Sequence, residues 1–215
     1  MTPQQRKQAS EDQLSALGIP INLHLPLVES EDEVRLRTRT ELLRRLVALW
    51  AVAGTAVLKG NDFFRRYMTD NDLLEWLSPR EKDFLLASEP SERQLIQSSW
   101  RLECLYFLGW CAGLVERIEI PTTQSSVEPF LHLFPQQGSD LSSLEAAIAI
   151  RPLPEILDWS DLLYRLHWSV RDAHLRGAPM PFGVEGGVVQ EWHQAVNWMT
   201  RYDDEDDWDM VGTDT

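Results

Sequence analysis

The stretch SERQLIQSSWRLECLYFLGWCAGLVERI, residues Ser91 to Ile118, decides the fold class of this chain. Between Leu102 and Val115 it is apolar on most faces, which is the pattern of a helix enclosed by other helices. We therefore predict one central helix across the whole stretch, with Glu103 as the charged residue inside its apolar part. Cys104 and Cys111 are seven residues apart on this helix, so their Cα atoms lie about 10.5 Å apart, too far for a disulfide.

Two further helices are predicted before the central one. The uncharged run from Leu46 to Leu58 has 13 residues, too few to cross a bilayer, and predicts a buried helix capped by Thr38 or Thr40. The string Ser78-Pro79-Arg80-Glu81 combines a capping serine, a proline at the first helical position and a glutamate that can bond back to the cap. It predicts a helix that continues through Ala87.

The pattern after the central helix alternates between breakers and helices. The prolines and polar residues from Pro121 to Asp140 predict an irregular connection, followed by a short helix from Leu141 to Ile150. The string Arg151-Pro152-Leu153-Pro154 predicts an extended joint. Asp158 is then the expected cap of a helix over 159–176, and a last helix is expected from Val188 to Thr200.

These elements define the expected fold class. Because no β-hairpin pattern or solenoid repeat occurs, we predict a mainly α, single-domain multi-helix bundle with an irregular central connection and an acidic C-terminal tail. Residues 1–37 would form an N-terminal arm with a short helix, and residues 38–200 the helical domain. Residues 201–215 would form the tail, which can fold back on the domain.

Composition limits the possible partners and compartment. The length of 215 residues suits one domain, and 34 acidic against 20 basic residues give a net charge of −14. This charge opposes the phosphate backbone, so we expect no direct binding of nucleic acid. The N-terminus lacks a secretory signal, no apolar run is long enough to span a membrane, and cysteines are few, so we expect a cytoplasmic protein.

Acidic segments near both termini are candidates for binding a partner. From Tyr202 onward, the C-terminal tail holds seven acids and no base, half of the net charge. Such a run is typical of a solvated, mobile terminus, but it can also attract a basic protein surface, with a tryptophan as the apolar contact. The candidate contact residues are Glu29, Glu31, Asp32, Glu33, Asp203, Asp204, Glu205, Asp206, Asp207 and Trp208.

Polar residues on the last two long helices form a second candidate group. At 100° per residue, four of them fall within about 60° of one another on the helix over 159–176, opposite its leucine face. They could line a ligand pocket or form a structural ion-pair network with acids of neighbouring helices. The candidates are Glu103, Asp161, Arg165, Trp168, Asp172, Glu191, His193, Asn197 and Trp198.

Signals for catalysis and metal binding are weak. His193 and Asn197 have helical i, i+4 spacing, but no placed nucleophile accompanies them. His167 and His174 are seven residues apart, too far for one metal, and no zinc-binding pattern occurs. We therefore assign no catalytic residue, no metal ligand and no cofactor.

Several strings together resemble a bacterial family catalogued as domain of unknown function 4272. They are WRLE from Trp100, Gly109-Trp110, RPLPEILDWSDLLYRLHWSVRDA from Arg151, VVQEWHQAVNW from Val188, and WDMVGTDT from Trp208. The resemblance implies a helical, cytoplasmic single domain with little assigned chemistry. The family pattern has an arginine before the histidine of the last helix, where this chain has Trp192. The resemblance also allows a structural explanation of the shared motif, in which Trp208 and Asp209 fold back across the helices and contact them.

Three functional hypotheses follow from the sequence. The first is a non-enzymatic immunity protein that neutralises a basic bacterial toxin, a nuclease above all, in competition between cells. The second is an enzyme or small-ligand receptor with a polar pocket between the central helix and the last two, lined by Glu103, Asp161, Arg165, His193 and Trp198. The third is a cytoplasmic adaptor. The sequence leaves the oligomeric state and the identity of the partner open.

Overall fold

The chain is built from α-helices joined by irregular segments. A computed structural model describes residues 1–59, 62–136 and 139–215. Its α-helices are α1 (Pro3–Ala16), α2 (Arg39–Val57), α3 (Phe63–Asp70), α4 (Pro79–Leu86), α5 (Glu92–Ser99), α6 (Arg101–Cys111), α7 (Glu128–Leu131), α8 (Ser142–Ala147), α9 (Leu153–Leu175) and α10 (Gly186–Thr200). Short 3-10 turns occupy Leu74–Trp76, Pro181–Gly183, Tyr202–Asp204 and Trp208–Met210. The described residues contain no strand, so the predicted mainly α, single-domain class is confirmed.

Local caps set where several helices begin. Thr38 and Ser78 each accept a hydrogen bond from the third residue of the following helix, whose glutamate side chain bonds back to the backbone N–H of the cap. This reciprocal arrangement satisfies two of the amides that a helix start leaves free. The predicted caps of α2 and α4 are therefore confirmed, and α4 ends at Leu86, one residue before the predicted end.

The core lies between α2, α6, α9 and α10. Helix α2 contacts α3, α4, α5 and α6, while α10 contacts both α6 and α9, and α1 packs on the outer side of α9. The approach of α3 to α2 is close enough that a Cβ added at Gly54 would lie 2.2 Å from the Phe64 ring. Among the described residues, no helix has the length and apolar character needed to cross a bilayer.

The single central helix predicted over Ser91 to Ile118 is wrong. The chain forms two helices, α5 and α6, which meet at Trp100, and α6 already ends at Cys111. Gly113 has a φ of +76°, a left-handed conformation that turns the chain away from the helix axis. Apolar residues continue beyond this turn, so apolar periodicity does not mark the end of the helix.

A distant segment satisfies the end of α6. The backbone N–H groups of Ala149 and Arg151 each donate at 2.9 Å to the carbonyl oxygens of Ala112 and Cys111. A Cβ added at Gly113 would lie 2.8 Å from the carbonyl oxygen of Ala149, so glycine also permits this close crossing. Both cysteines, Cys104 and Cys111, are free and buried, as predicted.

Helix α9 begins earlier than predicted. It starts at Leu153, with Pro154 in its first turn, so only Arg151 and Pro152 remain as a joint. Proline suits the first turn of a helix because its fixed φ is already helical and its missing N–H would have no partner there. Asp158 is consequently inside the helix, where it accepts a hydrogen bond at 2.8 Å from Arg6 of α1 instead of capping. The N-terminal arm contains this 14-residue α1.

Candidate functional site

The C-terminal segment folds back onto the helices, and we name residues 205–212 the C-terminal clasp. The Trp208 side chain is 3% exposed. The guanidinium carbons of Arg45 and Arg101 lie 4.6 and 5.7 Å from its ring centroid, and Trp198 meets it edge-on at 5.9 Å. Trp208 is therefore not available to a partner. Its assignment as a partner contact is corrected, because the two arginines and Trp198 bury it inside the chain's own fold.

Side chains from two helices hold the clasp in place. Asp209 accepts hydrogen bonds from the Ser78 hydroxyl at 2.8 Å and from the Arg80 backbone N–H at 3.0 Å, so it caps the first turn of α4. From α10, Gln194 and Asn197 donate to the carbonyl oxygens of Trp208 and Gly212. A mobile terminus is therefore the wrong interpretation of this segment.

The predicted acidic contact residues differ in whether another group of the chain already binds their carboxylates. Asp206 pairs with Arg37 and Arg201, and Glu31 pairs with Arg6 and the N-terminal amine. Three more serve as local hydrogen-bond acceptors: Glu33 for Ser30, Glu205 for the Asp207 N–H and Asp207 for the Asp209 N–H. The others, Glu29, Asp32, Asp203 and Asp204, are exposed and form no ion pair among the described residues.

Acids from both acidic segments act electrostatically on Tyr202. Burial raises the pKa of the Tyr202 hydroxyl, and the neighbouring carboxylates Asp203, Asp214 and Glu29 raise it further. These acids come from both ends of the chain, and all three are exposed. Asp203 and Asp204 have φ values of 56° and 55°, a left-handed turn that presents both carboxylates outward. We name Glu29, Asp203, Asp204 and Asp214 the acidic face.

The residues of the predicted polar pocket do not converge. Glu103 faces the irregular connection, where it accepts hydrogen bonds from the Ser125 N–H at 2.9 Å and from the Trp192 indole at 3.3 Å. Burial raises the pKa of the Glu103 carboxyl. Trp198 lies instead at the clasp, with Arg37 5.0 Å from its ring centroid. The residues predicted to line a pocket between α6, α9 and α10 therefore do not line one site, and that prediction is wrong.

Asp161 and Arg165 form a buried pair between α9 and α1. The carboxylate accepts two hydrogen bonds, at 2.8 and 2.7 Å, from the guanidinium, and both side chains are at most 1% exposed. Glu11 of α1 lies 3.6 Å from Arg165, and the Pro26 carbonyl accepts from it at 3.2 Å. The pair therefore fixes the N-terminal arm to α9. It does not join α9 to Glu103 or Glu191, the acids that the sequence analysis placed in the same candidate group.

The remaining members of the predicted network are also separate. Asp172 pairs with Arg176 one turn later on α9, near the surface, and Trp168 is half-buried on the same helix. His193 is buried beside His167, with their Nδ1 atoms 2.9 Å apart. Burial, with a smaller effect of the neighbouring His167 imidazole, lowers the pKa of His193 to about 3, and burial together with Arg171 lowers the pKa of His167 to about 4. Both imidazoles are neutral at pH 7, and one donates to the other.

The histidine pair has no signal in the sequence. His167 and His193 are on different helices, α9 and α10, so no local spacing links them. Throughout the described ranges, no three His, Cys, Asp or Glu side chains come together as a metal site requires. The pair on its own joins the two helices by one buried hydrogen bond.

A polar cleft of about 700 Å³ opens beside the clasp, between α4, α5, α6 and α10. Glu191 is the one member of the predicted network that lines it. Its carboxylate pairs with Arg101 at 2.8 Å and accepts from the Cys104 thiol at 3.0 Å. Burial raises the pKa of that thiol well above its usual range, which does not suit a nucleophile. The other polar lining residues are Arg80, Glu81, Asp83, Gln94, Gln97, Ser98, Gln190, Gln194 and Asp209.

Comparison with known proteins supports the sequence resemblance. The family model described as Domain of unknown function (DUF4272) matches residues 6–211, which includes every helix from α2 to α10 and the clasp up to Val211. No curated protein and no solved structure matches the chain. Since the family model covers nearly the whole sequence, the chain belongs to the DUF4272 family.

Proposed function

We propose that this protein is a non-enzymatic immunity protein that acts in the cytoplasm and neutralises a basic toxin, with a nuclease as the foremost target. The observation that supports this proposal is that Glu29, Asp203 and Asp214, exposed acids from both ends of the chain, all act electrostatically on the half-buried Tyr202. Segments separated by most of the chain contribute exposed carboxylates to one face, and no cation of the chain pairs with these three among the described residues.

Charge complementarity is the mechanism by which the acidic face would inhibit a toxin. A nuclease needs a positively charged cleft to hold its phosphate backbone, and a cluster of carboxylates can occupy that cleft in place of the phosphates. Complementary charge also accelerates encounter, which an inhibitor of a lethal enzyme requires. The clasp holds the preceding acids in a defined conformation, so little conformational entropy is lost on binding.

The experiment tests protection and the acidic face together. Any toxin-like protein encoded by a neighbouring gene is expressed alone and with this protein, and survival is measured. Association rates are then measured at low and high salt for the variant E29Q/D203N/D214N. Its matched control is E89Q/E92Q/E119Q, which removes three exposed acids elsewhere and changes the net charge equally.

We expect protection by the wild-type protein and the control. We expect the acidic-face variant to associate at least about tenfold more slowly at low salt, with a weaker dependence on salt. Equal losses in the two variants would refute a role for this particular face. Stable binding without protection would favour the adaptor hypothesis, and neither binding nor protection would overturn the proposal.

A further inference from the structure

We propose that the cleft between α4, α5, α6 and α10 binds a neutral, hydroxyl-rich ligand, a saccharide. This site lies beside the clasp and is independent of the toxin-binding proposal, because Glu29, Asp203, Asp204 and Asp214 do not line it. The inference depends on three features of the cleft: its carboxylates are mostly paired or hydrogen-bonded, two of its buried residues have polar atoms without partners, and its rim is rich in amides.

Most carboxylates of the cleft already have a cationic or hydrogen-bonding partner within the chain. Glu81 pairs with Arg45, each 5% exposed, and Glu191 pairs with Arg101 at 2.8 Å. Both carboxylate oxygens of Asp209 accept hydrogen bonds at the start of α4. The exposed side chains that remain, Arg80 and Asp83, are one of each sign. These charges cancel except for that of Asp209, whose carboxylate is already bound at the N-terminus of α4, so the cleft is better suited to a neutral ligand than to an ion.

Two residues that line the cleft each have a buried polar atom without a hydrogen-bond partner in the described chain. These atoms are Oε1 of Glu81, an acceptor, and the indole N–H of Trp208, a donor, on side chains that are 5% and 3% exposed. A buried polar atom without a partner is unfavourable, and of the eight such side-chain atoms in the described chain only these two belong to residues that line the cleft. A hydroxyl group can donate to the first and accept from the second.

The rim supplies amide groups that both donate and accept. Four glutamines line the cleft: Gln94, Gln97, Gln190 and Gln194. Gln97 and Gln190 are exposed and make no hydrogen bond to the described residues, and Gln94 uses only its carbonyl oxygen, as the cap partner of α5. Trp100 adds an aromatic surface to the same wall. Amides beside an aromatic ring suit the hydroxyls and C–H faces of a sugar.

The size of the cleft agrees with this class of ligand. Its volume of about 700 Å³ is within the range of roughly 300–1,000 Å³ that is usual for small-molecule sites, and it leaves room for a disaccharide. Trp208 connects this site to the clasp, because its ring packs against Arg45 and Arg101 and the same residue lines the cleft. A ligand that bonds to this N–H would also stabilise the clasp.

The test is ligand-observed NMR on the full-length protein with the neutral disaccharides maltose, cellobiose and N,N′-diacetylchitobiose, each at about 10 mM, which detects affinities down to the millimolar range. Arginine, citrate and adenosine are measured as charged and nucleoside comparisons. The variant Q97A/Q190A removes two exposed rim amides, so it should fold. Its matched control Q4A/Q124A removes two exposed glutamines outside the cleft.

We expect saturation transfer to at least one disaccharide, a change in tryptophan fluorescence, and affinity about tenfold weaker in Q97A/Q190A, as the loss of two hydrogen bonds implies. The control should bind as the wild-type protein does. The proposal is overturned if no disaccharide binds, if both variants bind equally well, or if a charged compound or adenosine binds while the saccharides do not.

Discussion

Replacing Trp208 by alanine is the sharpest test of the clasp. The side chain is 3% exposed, so nearly its whole surface, about 200 Å², is removed from water in the fold. At about 25 cal/mol per Å², its burial stabilises the protein by roughly 5 kcal/mol as an upper bound. Substitutions of buried tryptophan by alanine typically cost about 3–5 kcal/mol, and the contacts with Arg45 and Arg101 are lost as well. We expect a loss of about 4 kcal/mol.

Urea denaturation at pH 7, followed by circular dichroism, measures this loss as a lower midpoint. The matched control is Met210→Ala in the same 3-10 turn, where the side chain is 61% exposed and the expected change is below about 0.5 kcal/mol. Hydrogen exchange of the amides in residues 206–212 should become fast in W208A and stay slow in M210A. If W208A lost less than about 1 kcal/mol, the clasp would not be a stable part of the fold and the reasoning would fail.

Three other predictions follow from buried groups. The pKa values of His167 and His193 lie below 6.5 in the folded protein, so unfolding below pH 6.5 takes up protons. The free energy of unfolding is therefore highest above pH 6.5. It falls as the pH drops towards 4, by up to about 1.4 kcal/mol per pH unit for each histidine. Urea midpoints at pH 7 and pH 5 should show this loss, and H167Q/H193Q should largely lack it. Asp161→Asn leaves a buried arginine without its carboxylate and should cost about 3–5 kcal/mol in the same assay; a loss under about 1 kcal/mol would contradict the pairing. Gly54→Ala places a methyl 2.2 Å from the Phe64 ring and should lower the thermal midpoint by an amount equivalent to about 1–3 kcal/mol, whereas an unchanged midpoint would mean that the ring moves freely.

The helices were predictable wherever a local pattern controls them. Thr38 and Ser78 cap α2 and α4 through bonds to residues three positions later, and such caps are visible in the sequence. The end of α6 has one local signal, Gly113, but the apolar pattern continues beyond it, and the donors that complete this end come from Ala149 and Arg151, almost 40 residues further on. The start of α9 was missed for a local reason, since Pro152 and Pro154 were interpreted as helix breakers although proline is well tolerated in a first turn.

The candidate site shows the same division. Residue types, net charge and capping patterns are properties of short segments, so the sequence sufficed for the helical class, the family and the acidic character of the tail. The partners of each polar residue are long-range: Ser78 bonds to Asp209, 131 positions away, and the acids around Tyr202 come from both ends of the chain. Helical periodicity places side chains on faces but carries no information about which faces meet. For this reason the polar residues of α9 and α10 were grouped into one network, whereas packing distributes them over separate contacts.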